Sequence, residues 1–351
     1  MRRWLIALAF TLAFAAAAPA RAQTVLMVGW CAQNLTSAAA PLAVAQKLGW
    51  FDAAGFRVEP YPMPGSKDCI AAVAAGTLSY ALASVEPLAA LGPDTDLRIF
   101  YTAYQGNIYG LAVPEDSPIR TAADLRGKRI GVAAMASGGV VVARALVANA
   151  GLDPDRDITF VVTGEGSQAA AMVARGEVDA LSLYDVQYDL VRRAGEKLRM
   201  LDNAAIARFP SNGFVATSST LAGRREEAVA LARGYAMGTV FTIANPAAAI
   251  RIMHTLWPQT VPDGLDEATA LRTDLVTLFA RLPNMMREAG GVTHWGESAV
   301  PNYDAYIAFL VKSGALKQAV PATDLVTNVL IPEINDFDSA AVIAQAKAYK
   351  P

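Results

Sequence analysis

The sequence predicts an α/β protein of two lobes, each a mostly parallel sheet flanked by helices, with a helical C-terminal extension. Three observations carry this. Short apolar runs alternate with amphipathic stretches as far as Thr217, the pattern of strand–helix units stacked side by side. The alternation passes through two similar cycles. Ala71–Gly76 leads into Tyr80-Ala81, and Met172–Gly176 leads into Ala180-Leu181; each reads as a small apolar helix, a glycine and a buried strand. Beyond Thr217 the pattern is mainly helical. A chain of 351 residues is long enough for two ordinary domains with real cores.

The first residues stand apart from this pattern. Arg2 and Arg3 precede the apolar run Trp4–Ala18, and Ala20-Arg21-Ala22 fits a small-residue cleavage site. Residues 1–22 therefore read as a secretory signal peptide, which implies the periplasm. Its removal takes away Arg2, Arg3 and Arg21, so the formal charge of −2 becomes three units more negative. A mildly acidic exported chain with no basic tract argues against nucleic acid as a partner. Hydrophobic residues make up 54%, yet no run after residue 22 is long enough to span a bilayer, so no direct membrane insertion is expected. No cysteine stands in a lipoprotein context.

Thr24–Trp30 is the first strand. Pro41–Phe51 is an amphipathic helix ended by Gly49, Phe56–Tyr61 the second strand, and Lys67–Ala75 a helix stopped by Gly76. Tyr80–Ala83 and Leu97–Tyr104 are the next strands, with a short helix to Leu91 between them. The order β-α-β-α-β-α-β means right-handed crossovers in one sheet. Ile108–Val113 is a strand leading away from it. The second cycle holds the strands Arg129–Ala133, Ile158–Val162, Ala180–Leu183 and Leu198–Leu201. Between them lie the helices Val140–Ala150, Ser167–Arg175 and Gln187–Ala194. Phe214–Thr217 reads as a strand returning to the first lobe. Helices follow over Arg224–Ala244, Pro246–Thr255, Asp266–Ala280 and Ala299–Ser313, and the tail Leu325–Ala348 holds an extended piece and a last helix. Lobe I is thus 23–106 and 213–351, and lobe II is the inserted 107–212. Two crossings, near Tyr104–Ile108 and Arg208–Phe214, make a hinge, and the cleft between lobes is the expected ligand site.

The stretch Asp124–Gly151 shows the logic of the site. The strand Arg129–Ala133 ends in a small-residue loop, Ala134–Gly139, and then a helix begins. Open α/β sheets bind ligands at such strand ends. Ser137, Gly138 and Gly139 offer backbone N–H groups and a hydroxyl where a helix dipole favours an anion; a tight turn with an ordinary N-cap explains the same residues.

Several chemistries are poorly provided for. His254 and His294 lie at no metal-ligand spacing, and there is no G-x-S-x-G and no P-loop. No metal or cofactor is expected. The two cysteines, Cys31 and Cys69, both follow predicted strands. They are either a disulfide, as an oxidising compartment permits, or two buried thiols.

Certain pieces, taken in order and spacing, resemble a known family. They are Pro41–Phe51 followed by Gly55-Phe56-Arg57-Val58-Glu59, then Gly65-Ser66, Ala74-Ala75-Gly76, Asp124-Leu125-Arg126-Gly127-Lys128-Arg129-Ile130-Gly131-Val132, Ala174-Arg175-Gly176-Glu177-Val178-Asp179-Ala180 and Asn335-Asp336-Phe337-Asp338. The chain resembles a type II periplasmic solute-binding protein of the SsuA/THI5-like (NMT1-like) group, whose members serve ABC importers for sulfonates, taurine, nitrate-type anions and pyrimidines. The resemblance covers nearly all of the chain after residue 22. It implies the type II periplasmic-binding-protein fold, a clamp that is not an enzyme, a small-molecule ligand, an ABC permease in the inner membrane as partner, and a monomer. A pyrimidine-synthesising protein of the THI5-like type is the alternative; it would need a lysine and a reactive histidine in the cleft, where only Lys67 comes near. A sensory solute-binding protein is a further alternative.

Carried onto this chain, the resemblance places the ligand against Gln33, Asn34 and Thr36, Ser66, and Glu86 in the first lobe. In the second it points to Ser137, Gly138, Gly139, Ser167, Tyr184 and Asp185. The links add Gln105 and Asn107, and the return strand adds Asn212 and Phe214. Ser66 and Ser137 each precede a helix, and two facing helix starts would suit a carboxylate or sulfonate. Trp30, Tyr104, Tyr109, Tyr184 and Phe214 are candidates to stack on a planar ligand. Glu86 and Asp185 argue for a zwitterion or an aminopyrimidine if they face the cleft, and for mere helix-start acids if they face solvent. No arginine falls in the predicted cleft loops, so an anion is expected to rely on N–H dipoles or on an arginine elsewhere, such as Arg208. The expected ligand is an organic acid or sulfonate-like anion, with aromatic and zwitterionic ones included in that range.

Overall fold

The computed structural model describes residues 24–350; the segment read as a signal peptide, 1–22, lies outside them. Two five-stranded sheets organise the chain. The first contains β1 (Thr24–Trp30), β2 (Phe56–Pro62), β3 (Tyr80–Ser84), β4 (Leu97–Thr102) and β10 (Asn212–Thr217) in the order β2-β1-β3-β10-β4. The second contains β5 (Ala112–Pro114), β6 (Lys128–Val132), β7 (Ile158–Val162), β8 (Ala180–Ser182) and β9 (Leu198–Met200) in the order β7-β6-β8-β5-β9. Four strands of each sheet run one way. The fifth, β10 in one and β5 in the other, is antiparallel to both its neighbours. Both exceptions follow a link from the other sheet, so each sheet is closed by a strand that the other delivers.

The helices obey the same periodicity. α1 (Ala40–Lys47), α2 (Ser66–Ala74) and α3 (Val85–Ala89) flank the first sheet, and α4 (Gly138–Asn149), α5 (Ser167–Ala174) and α6 (Asp185–Arg193) the second. α2 and α5 stop alike: Gly76 and Gly176 sit at φ 72° and 65°, left-handed positions where a side chain would be strained. In β1 the alternation is visible in burial. Leu26 and Val28 face the core, while Val25 and Met27 are about two-fifths exposed.

The C-terminal region is helical as expected: α7 (Ser218–Gly223), α8 (Arg225–Ala244), α9 (Pro246–Leu256), α10 (Glu267–Met285), α11 (Arg287–Gly290), α12 (Val300–Lys312), α13 (Ile331–Ile334) and α14 (Ser339–Ala348). α8 packs on α1 and α14, and its Tyr235 meets Tyr101 and Phe214 edge-on beneath the first sheet. Fully burying such side chains contributes about 2 kcal/mol each. Among the described residues no helix is long and apolar enough to cross a membrane.

Two expected elements differ in ways that bear on the crossing between the sheets, besides the helix foreseen over Pro41–Phe51, which ends at Lys47. The strand foreseen over Ile108–Val113 is reduced to Ala112–Pro114, because residues 103–111 are still crossing between sheets; Tyr109 makes a single bridge to Tyr184 there. The helix foreseen over Asp266–Ala280 runs on to Met285. Pro283 falls in its last turn, where the missing N–H removes one bond without ending the helix. The extra turn carries Arg281 and Asn284.

Candidate functional site

The two links lie side by side. Asn107 N donates to Ala207 O, Ser211 N to Tyr104 O, and Leu201 N to Leu111 O. They hold the strand ends of the two sheets facing each other, and between them lies a cavity. It is lined by Trp30, Cys31, Ala32, Thr36, Ala38 and Leu82 from the first sheet and its loops, Tyr104, Ile108, Tyr109 and Asn212 from the links and return strand, Tyr184 from the second sheet, and Arg281 from α10. Its volume is about 30 Å³, room for a water or two.

Arg281 is the charge of this cavity. Its side chain is 3% exposed. Nε donates to both carboxylate oxygens of Asp185 at 2.9 and 2.8 Å, and Nη2 adds a third bond at 2.6 Å. Asn284 Nδ2 reaches the same carboxylate at 3.1 Å. The guanidinium carbon lies 4.1 Å from the centre of the Tyr104 ring, a cation–π contact strengthened by desolvation. Burial works against the charge, but Asp185 outweighs it and raises the arginine pKa further. Arg281 replaces the exposed Arg208 as the arginine of the cleft. Its sequence signal was weak, since it sits inside a long helix and 96 positions from its partner.

Tyr184 connects the cavity to a second carboxylate. Its hydroxyl donates to Glu165 Oε1 at 2.8 Å and accepts from Gln187 Nε2 at 3.0 Å. Burial holds this phenol neutral well above its ordinary range, and the Glu165 charge adds to that. Glu165 also reaches across to the first sheet, accepting Gln33 N at 3.4 Å and Asn34 Nδ2 at 3.0 Å. Ser167, foreseen for the ligand two residues later, is instead exposed at the start of α5. The usable signal was an acid between two glycines directly after a strand.

Of the residues foreseen for the ligand, Thr36, Tyr184 and Asn212 line the cavity, together with the aromatics Trp30, Tyr104 and Tyr109. Gln33 and Asn34 lie over it in an exposed loop; Gln33 Nε2 also donates to Ala133 O. The two helix starts do face each other, but in direct contact. Lys67 N donates to Ala136 O, and Ser66 Oγ accepts Ser84 N at 3.0 Å. Ser137 caps α4, its Oγ accepting Gly139 N at 3.2 Å, and Gly139 O takes the Ser182 hydroxyl. Gly138 rests against Ser84 Oγ, Glu86 and the Tyr109 hydroxyl.

Glu86 faces neither solvent nor the cavity. It is wholly buried, accepts the Tyr306 hydroxyl, and its Oε2 has no partner. Burial pushes its carboxyl pKa up. Asp185 serves Arg281 as described. Gln105 ties its link to Thr102 O and Glu297 O, and Asn107 closes a turn on Tyr109 N and O. Phe214 belongs to the core beneath the first sheet, stacked near Phe100 and Tyr101. The alternation of β10 turns Asn212, two residues earlier, towards the same sheet neighbours but at the strand end, where it reaches the cavity.

Cys31 and Cys69 form a disulfide, with their Cα atoms 5.9 Å apart. It pins the loop after β1 to α2 at the cavity wall. No histidine or lysine lines the cavity: His254 pairs with Asp274 between α9 and α10 at 2.7 Å, and Lys67 is exposed. Among the described residues no group of three or more acidic, histidine or cysteine side chains is placed to hold a metal ion.

The NMT1/THI5-like family model matches residues 36–249. No curated protein matches the chain. Among solved structures, a protein from Bordetella bronchiseptica RB50 is similar with a TM-score of 0.69 and 20% identity, over 90% of this chain and 98% of its own. The alkanesulfonate-binding protein SsuA from Xanthomonas axonopodis pv. citri, bound to MOPS, is similar with a TM-score of 0.64 and 18% identity, over 87% of this chain and 98% of that one. The periplasmic nitrate-binding protein NrtA from Synechocystis PCC 6803 follows with 0.61 and 14%, over 94% and 99%. These likenesses give the fold: two α/β units in the type II periplasmic-binding arrangement. With the family model spanning more than half of its length, the chain belongs to the NMT1/THI5-like family.

Proposed function

We propose that this protein is the periplasmic solute-binding component of an ABC importer and that it captures a small organic acid with a flat body. Residues 23–106 and 213–351 act as one lobe and 107–212 as the other. The observation that carries the reading is the cavity at the facing strand ends, where one buried arginine stands among Trp30, Tyr104, Tyr109 and Tyr184. The aromatics supply flat apolar walls, Arg281 recognises an acid group, and Thr36 and Asn212 supply orienting polar groups. Asp185 already neutralises most of the Arg281 charge, which favours a singly charged or zwitterionic acid over a dianion. The solved relatives named for alkanesulfonate and nitrate agree with a small anionic ligand. At about 30 Å³ the closed cavity is too small for such a molecule to enter, so the lobes part for loading. Contacts from both lobes to the ligand then favour the closed form, the form a permease would read.

A thermal-shift panel of organic acids, sulfonates, nitrate, amino acids and pyrimidines tests this. A ligand at 100 times its Kd stabilises by about 2.7 kcal/mol, a clear rise in Tm. The expected hit is an aromatic or small organic acid, lost in Tyr184→Ala and in Trp30→Ala. Hits confined to neutral or cationic solutes would overturn the ligand class.

A further inference from the structure

We infer that Glu165 is the latch that holds the two lobes together over the cavity, a positioning residue acting through Tyr184 and the loop 31–36. The inference deepens the clamp reading and rests on it. Glu165 stands in the loop after β7 and is 6% exposed. Its carboxylate bonds to both lobes. Oε1 takes the hydroxyl of Tyr184, a wall of the cavity in the second lobe, and the backbone N–H of Gln33 in the first. Oε2 takes Asn34 Nδ2, also in the first. The loop it grips is the one that supplies Cys31, Ala32 and Thr36 to the cavity, and Trp30 Nε1 is fixed to Asn34 O within the same loop at 3.0 Å. One carboxylate therefore sets Tyr184 and the loop that carries Thr36 in register, and only when the lobes are closed.

The chemistry suits a latch. An ionised carboxylate accepting three hydrogen bonds gains more than a neutral group would, while parting of the lobes returns it to water, where it is equally well solvated. The contact is thus strong enough to bias closure and open to competition from solvent. The replacement Glu165→Gln keeps the shape but removes the charge and one of the two acceptor oxygens, so the side chain can no longer accept on both arms from Tyr184, Gln33 N and Asn34 Nδ2 at once.

Closure can be read on the full mature protein without a ligand or a permease. Spin labels are placed on Ala54→Cys and Arg156→Cys, exposed positions on the first and second lobes, with the native disulfide intact, and interlabel distances are measured by pulsed electron resonance. The expected result is a short-distance population in the wild type that falls about tenfold or more relative to the open one in Glu165→Gln. Asn34→Ala should reproduce part of the loss, and the double variant should add little, because both remove the same bond. An unchanged distance distribution in Glu165→Gln, full additivity of the two variants, or a wild type with no short-distance population would each overturn the latch. A circular dichroism melt of the singly substituted Glu165→Gln protein showing the wild-type folded signal separates loss of closure from loss of fold. Failure here leaves the importer reading untouched, since that reading is tested by ligand and location; an empty ligand panel likewise leaves the latch standing.

Discussion

Arg281 and Asp185 put the site's charge balance within a single contact. Removing one partner of a buried, bidentate pair leaves the other charge unpaired, which costs about 3–5 kcal/mol. Arg281→Ala is therefore expected to lower unfolding free energy by about 3 kcal/mol, read by urea titration, whereas the double replacement Arg281→Met with Asp185→Leu should recover most of the loss. Glu86 makes a second prediction, on pH. Its carboxyl is faced by Ser84 Oγ, the hydroxyls of Tyr109 and Tyr306, and the start of α4 at Gly138, and burial raises its pKa. A raised carboxyl pKa means that the folded state holds its proton longer than the unfolded chain. The stability this gives is complete below the ordinary value of about 4.3 and is lost as pH rises through the raised one. Denaturant midpoints should fall from about pH 4 upward through that window in the wild type. In Glu86→Gln this component should vanish, and an unaltered pH profile there would remove Glu86 from the account. At this scale the sequence was half legible. Aromatics at strand ends announce themselves by position, which is why Trp30, Tyr104, Tyr109 and Tyr184 were in view. Arg281 was not, because nothing local distinguishes a buried arginine in a long helix from a solvated one.

Elements decide how close the lobes come. α4 begins against the starts of α2 and α3, and the contact depends on missing side chains. A Cβ on Gly65 would lie 2.5 Å from the carbonyl of Ala136, and one on Gly138 would lie 2.5 Å from Ser84 Oγ, closer than atoms pack. Gly65 is extended rather than left-handed, with φ 175°, so alanine there strains no backbone. Gly65→Ala should leave each lobe folded and push the seam apart. The expected outcome is an unchanged circular dichroism spectrum with a larger radius of gyration in solution scattering; a radius equal to that of the wild type would show that the seam yields. The disulfide works on the neighbouring loop. Linking residues 38 apart removes chain entropy from the unfolded state worth about 4 kcal/mol in the loop-closure estimate, so Cys31→Ser with Cys69→Ser should lower stability by up to about that amount. Strand and helix positions were largely legible, because burial follows the two periodicities that the sequence displays. The role of Ser66, Ser137, Gly138 and Gly139 was not. A helix start bears the same residues whether it meets an anion or another helix start, and only the facing element tells them apart.

On the scale of the whole molecule the two sheets look like independent bodies, yet three sets of contacts join them. The links run side by side between the sheets. The seam of the α2 and α3 starts on the start of α4 and the Glu165 bonds close the front. At the back, α10 packs on α9 and the 3-10 turn Ser37–Ala39 of the first unit and on α6 of the second, with Thr277 Oγ1 donating to Asp189 at 2.6 Å and Arg281 holding Asp185. α10 makes polar bonds to both units, its Asp274 to His254 of α9 in the first and its Thr277 and Arg281 to Asp189 and Asp185 in the second, so it cannot leave either without a loss. Its foreseen end at Ala280 hid part of this: Thr277 lies within it, but Arg281 and Asn284, which hold Asp185, lie just beyond. The two units should therefore melt together: calorimetry is expected to give one transition, with the van't Hoff enthalpy equal to the calorimetric one. Arg281→Ala, which cuts the strongest of the polar ties, should broaden that transition or split it in two. Two separated transitions in the wild type would mean that α10 belongs to one unit alone, and the coupling between the units would then rest on the links by themselves.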